Sequence, residues 1–176
     1  MKELNTMTIT PATIKDAAII QSLAAATWPA AYSHIISAGQ MEYMLDLMYS
    51  EQSLIKQFGQ GHSFLLAKDN NEAVAFASYS KTGSPGIYRL HKLYALPSQQ
   101  GKGVGKKLIE YILNEINKEN AQALQLNVNR QNVALKFYER LGFKIISEED
   151  IDIGEGYFMN DYIMEKEVTG HQVSGC

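Results

Sequence analysis

Glycine stands at positions 101, 103 and 105, a few residues after a strand-like run that Pro97 ends and directly at the opening of an amphipathic helix pattern. That pattern puts Val104, Leu108, Ile109, Ile112, Leu113 and Ile116 on one face. A strand leading through bare backbone into a helix restricts the fold to sheets with helices packed on them. The loop amides and the positive end of the helix dipole then form a ready site for an anion, most naturally phosphate. A helix start that merely needs flexible residues is the plainer reading, but Gln100 and the neighbouring lysines favour an anion. A P-loop would need glycine at 100 and Ser or Thr at 107, where the chain has Gln100 and Lys107. A dinucleotide fingerprint would need G-x-G-x-x-G after the first parallel strand, and the spacing here is G-x-G-x-G.

The rest of the chain supplies the other elements. Residues 7–11 read as a strand, and Thr13 to Asp16 as a capping box opening a helix through Trp28. Helical patterns follow over 37–48 and 51–58. Stretches 63–68 and 73–80, flanking the turn Asp69-Asn70-Asn71-Glu72, read as an antiparallel hairpin, with a third strand over 86–96. A strand at 123–128, a helix over 131–143 stopped by Gly142, and strands near 143–151 and 157–167 complete the order β-α-α-α-β-β-β-α-β-α-β-β. The expected class is α/β or α+β, one domain over 1–167 with a loose tail at 168–176.

Composition narrows the function. Sixteen basic against nineteen acidic residues give a net charge of −3, which argues against a protein that coats nucleic acid. The single cysteine, Cys176, excludes an intramolecular disulfide and a cysteine zinc site, and it has no partner base beside it beyond His171. His34, His62, His91 and His171 lack metal-ligand spacing, so no metal is expected. No signal-peptide core and no run of about eighteen apolar residues occurs, so the expectation is a cytoplasmic protein with no membrane partner.

The motif Gln100-x-x-Gly103-x-Gly105, within LHKLYALPSQQGKGVGKKLI at 90–109, resembles the first signature of the GCN5-related N-acetyltransferases. The stretch LNVNRQNVALKFYERLGF at 126–143 resembles their second. The resemblance implies a mixed, mostly antiparallel sheet of about seven strands flanked by helices, and acetyl-coenzyme A as co-substrate. It implies that the amides of Gly101, Lys102, Gly103, Val104, Gly105 and Lys106 hold the pyrophosphate. The backbone of Leu93, Tyr94 and Ala95 would pair with the pantetheine arm, and Asn132 would contact the coenzyme. Tyr138 matches the family tyrosine near the coenzyme sulfur, and a phenol with a reference pKa of about 10 suits a proton donor to a thiolate. It could also be a core aromatic beside Phe137 and Leu141.

One position departs from part of that family. Where the histone acetyltransferase branch has a glutamate, this chain has Arg89. His91, on the same strand face by alternation, aligns with a histidine that is catalytic in serotonin-type acetyltransferases, and the resemblance makes it the candidate base; ordered water as the base, or a histidine that only fills the sheet face, are the alternatives. For the acceptor, Trp28, Tyr32, His91, Tyr157 and Phe158, with Glu155 and Asp161, would form an aromatic and acidic lining suited to a cationic amine. Packing in the core is the alternative for Trp28, Tyr32 and Phe158. A looser similarity to bacterial spermine/spermidine N-acetyltransferases puts a polyamine first among acceptors, with another small primary amine or a protein or peptide amine behind it. The resemblance also admits a homodimer, and a sensor or scaffold that binds acetyl-coenzyme A without turnover is the rival reading.

Overall fold

The computed structural model describes residues 6–168. Its elements are β1 (Thr8–Pro11), α1 (Ala17–Tyr32), α2 (Ala38–Tyr49), α3 (Glu51–Gly59), β2 (Ser63–Asp69), β3 (Glu72–Lys81), β4 (Ile87–Ala95), α4 (Val104–Lys118), β5 (Ala123–Asn129), α5 (Ala134–Arg140), β6 (Lys144–Gly154) and β7 (Tyr157–Glu167). The seven strands run in the order β1-β2-β3-β4-β5-β7-β6. The β4–β5 pair is parallel, and β1–β2, β2–β3, β5–β7 and β6–β7 are antiparallel, so the sheet is mixed. The chain divides into two compact units, one of residues up to Tyr79 with Lys92–Ile109, the other of Ser80–His91 with Glu110 onward.

In the first unit, Asn70 and Asn71 take φ of 49° and 67°, the left-handed pair that a tight β2–β3 turn demands and that asparagine tolerates. The capping box forms between Thr13 and Asp16, but it closes a short 3-10 turn, and α1 begins only at Ala17. Ser37 and Ser50 cap α2 and α3 by accepting from the amides of Gln40 and Ser53. Ile20, Trp28, Met44, Leu54, Phe64 and Phe76 form a core from which water is excluded.

In the second unit β5 alternates: Leu124, Leu126 and Val128 are buried, while Gln125, Asn127 and Asn129 turn to the other face. The opposite strand β7 continues that polar face with Asp161 and Glu165, paired with Asn129 and Gln125. Helix α5 is shorter than expected, because the Asn132 carbonyl Oδ1 accepts from the Ala134 amide at 2.9 Å and starts the helix there. Gly142 ends it at φ 92°, with the Phe143 amide returning to the Tyr138 carbonyl at 3.1 Å. Strand β6 runs three residues past the expected end, to Gly154. Val168 still donates to the Gln122 carbonyl, and the rest of the expected tail, with His171 and Cys176, lies outside the described residues.

Candidate active site

After β4 a 3-10 turn at Pro97–Gln99 leads into the glycine loop, with the Gln100 amide donating to the Pro97 carbonyl and the Lys102 amide to Gln99. Gly101 and Gly103 have φ of 77° and 75°, a region that costs other L-residues energy. A Cβ at either would meet no protein atom within 4 Å. The glycines therefore serve backbone conformation and leave room outside the backbone. Residues 100–103 and Lys106 are exposed. The amide of Lys107 donates back to Gly103 at 3.1 Å, so those just before it lie in the first helical turn, where no intrahelical acceptor exists. Exposed amides, a helix N-terminus and flanking lysines fit a pyrophosphate.

The strand before the loop is held from one face. Tyr94 shares a hydroxyl–hydroxyl hydrogen bond of 2.7 Å with Tyr32, and its ring lies 5.7 Å from both Trp28 and Phe76. Trp28 in turn packs on Tyr32 at 4.6 Å and edge-on to Tyr49 at 5.7 Å. With Trp28 at 1% and Tyr32 at 8% exposure, the packing alternative describes both better than an acceptor lining does. Lys92, 8% exposed, donates from Nζ to Gln57 Oε1 at 2.7 Å and sits over the rings of Tyr49 and Phe64. Burial pushes its ammonium down to about 8. Burial and the Lys92 charge lower His62, and burial lifts Tyr49 well above the ordinary phenol range.

The second unit carries the remaining candidates. His91 Nε2 lies 2.7 Å from Ser80 Oγ. Tyr138 is buried against Phe137 and Phe143 at 5.2 and 5.8 Å between ring centroids. Tyr157 is half-buried and Phe158 exposed on β7, just after a turn in which Glu155 takes φ 53°. Arg89 reaches across the sheet to two amide oxygens, donating from its two terminal nitrogens to Asn127 Oδ1 and, at 3.2 Å, to Gln125 Oε1. Those amides pass their own N–H groups to carboxylates: Gln125 to Glu165 at 2.7 Å and Asn127 to Asp161 at 3.4 Å. Asp161 is 1% exposed; burial raises its carboxyl, and the Asn127 bond partly offsets the rise. The sequence reading passed over Gln125 and Asn127, whose only signal is the period-two polar alternation of β5.

A mixed sheet in which an exposed glycine loop joins β4 to the start of α4 is an arrangement suited to a coenzyme A-dependent acyltransferase. The acetyltransferase (GNAT) domain model matches residues 34–159, and the chain belongs to that family. It is 28% identical over 159 residues, 87% of this chain and 92% of the other, to a spermidine N(1)-acetyltransferase of Thermoplasma acidophilum. It is 23% identical over 116 residues, 63% of this chain and 68% of the other, to an L-methionine sulfoximine/L-methionine sulfone acetyltransferase of Salmonella typhimurium. Among solved structures, the PaiA N-acetyltransferase of Thermoplasma acidophilum in complex with coenzyme A aligns at TM-score 0.78 and 26% identity, over 92% of this chain and 98% of that one. The chain is an acetyl-coenzyme A-dependent N-acetyltransferase. Among the described residues no group of three or more His, Cys, Asp or Glu could hold a metal ion, and no helix is long and apolar enough to cross a membrane.

Proposed function

We propose that the chain acetylates the primary amine of a small molecule by direct attack in a ternary complex, with no acetyl group carried on the protein. The observation that carries this reading is the loop, where two exposed positive-φ glycines leave open space beside the start of a helix. Acetyl-coenzyme A supplies the acetyl group as a thioester. On the protein side, the amides of residues 101–106, flanked by Gln100 and the lysine side chains, bind the pyrophosphate. The backbone of Leu93 to Ala95 receives the pantetheine arm, and an amide at Tyr94 or Ala95 polarises the thioester carbonyl. Asn132 contacts the coenzyme, and the Tyr138 hydroxyl gives a proton to the departing thiolate. His91, with Ser80 on one ring nitrogen, takes the proton of the acceptor ammonium directly or through ordered water.

A polyamine is one acceptor within this class, supported by the similarity to the spermidine enzyme over most of the chain. Its aromatic argument is reduced by the burial of Trp28 and Tyr32 and rests on Tyr157 and Phe158. An amino-acid amine is the second reading, favoured by the likeness to the methionine sulfoximine enzyme and by the Arg89 guanidinium, which is bonded to two neutral amide oxygens. The reading places the activity in one domain over 1–167, in the cytoplasm, as a monomer or homodimer, without nucleic-acid or membrane partners. The test is release of free coenzyme A thiol with polyamines, amino acids, aminoglycosides, arylalkylamines and peptides as acceptors. Saturable release with a small amine is the expected result. Release only with peptides, or none with any acceptor despite tight coenzyme binding, would overturn the reading.

A further inference from the structure

The second unit holds a polar row with an unusual distribution of charge. Arg89, Gln125, Asn127, Asp161 and Glu165 lie on one sheet face, as their cross-strand register requires. A half-buried guanidinium ordinarily closes on a carboxylate, and two carboxylates are present in this row. Here an amide stands between Arg89 and each of them. Gln125 and Asn127 each offer a neutral oxygen to Arg89 and give their N–H to Glu165 and Asp161 respectively. The carboxylates thus orient the amides, the amides fix the guanidinium, and no anion touches it among the described residues. Two of its five N–H donors are used. The others are available to a ligand in a group whose rotamer is already set, which is how an arginine recognises a planar anion.

We infer that Arg89 binds a carboxylate of the acceptor, so that the amine acetylated belongs to a molecule that also carries a carboxyl group, as an amino acid does. This deepens the proposed transferase reading and rests on it for the amine. His91 lies two residues further along the same strand and face, so an acceptor held by its carboxylate on Arg89 has its amine on the side of the sheet that carries His91. Asp161 and Glu165 act as positioning residues through the two amides. A polyamine has no group for this site, and the guanidinium repels its ammonium ends.

The test compares leucine, leucinamide and isoamylamine as acceptors for the full chain and for Arg89→Gln and Arg89→Lys, with spermidine as a further acceptor. The expected result is a preference for leucine that Arg89→Gln lowers by about ten- to hundred-fold in kcat/KM, through KM, while leucinamide changes little. Arg89→Lys should recover part of the preference. Coenzyme affinity, measured in parallel, checks that each variant is folded. Equal use of the three amines, a preference for spermidine, or a loss spread evenly over all acceptors would overturn the inference while leaving the transferase reading standing. If no acceptor turns over, calorimetry with leucine on the coenzyme-loaded protein decides the inference separately. Binding that Arg89→Gln abolishes supports it, and absence of binding overturns it.

Discussion

Replacing Lys92 by methionine should change how stability depends on pH by an amount that follows from the burial of its ammonium. The group is pushed down to about 8, against an ordinary value of 10.5. In the folded chain it releases its proton near pH 8, whereas in the unfolded chain it holds it to 10.5. Between those values the unfolded state binds more protons, so stability rises with pH there; below pH 8 both states are protonated and the contribution is flat. Linkage over that gap amounts to about 2–3 kcal/mol by pH 10. Nearby groups act elsewhere: lowered His62 weakens the fold as pH falls below its ordinary 6.5, and raised Tyr49 does so above its ordinary 10. The assay is urea unfolding followed by circular dichroism at pH 7, 8, 9 and 10, for the unaltered chain and Lys92→Met. His62, which the Lys92 charge helps to lower, titrates below this pH range, and the remaining groups cancel in the difference. The unaltered chain should gain about 2–3 kcal/mol relative to the variant from pH 7 to 10, worth about 5–10 °C in Tm for a chain of this size. Parallel curves would refute the argument that a buried charge is carried in this aromatic pocket.

Three further substitutions address the proposed chemistry. Gly103→Ala should cost about 1 kcal/mol of stability from its positive φ, since the added methyl meets no protein atom, yet weaken coenzyme binding at least about tenfold; unchanged affinity by calorimetry would reduce the loop to a plain helix start. Tyr138→Phe should lower kcat by about a hundredfold or more with coenzyme affinity retained, and a change within about a factor of two would return Tyr138 to a packing role. With His91→Ala the ascending limb of the pH–rate profile should disappear, and an unaltered profile would remove His91 as the base.

The glycine loop and the asparagine turn were readable because each is a local requirement of backbone conformation, met by residues that lie side by side. Trp28 and Tyr32 were harder, since aromatics at helical spacing can serve a core or line a pocket equally well. The choice was made by Tyr94, Phe76 and Tyr49, which come from distant parts of the chain. The start of α5 moved to Ala134 because the Asn132 side chain competes for the backbone at that point, a local effect hidden inside the family motif. The Arg89 row could not be read at all from neighbours. Its partners on β5 lie 36 and 38 positions away, and only the strand register brings them together.

The interleaving of the two units sets the order in which the parts of each are made. The first unit needs Lys92–Ile109 as well as everything up to Tyr79, and the Ser80–His91 segment of the second unit is synthesised in between. A nascent chain that has reached His91 therefore holds an unfinished first unit and a strand whose parallel partner, β5, has not been translated. Domains usually condense one after another from the ribosome, each as its last residue appears. Here the residues of the first unit are all present only once Ile109 has been made, and a chain severed between residues 80 and 109 leaves neither unit whole.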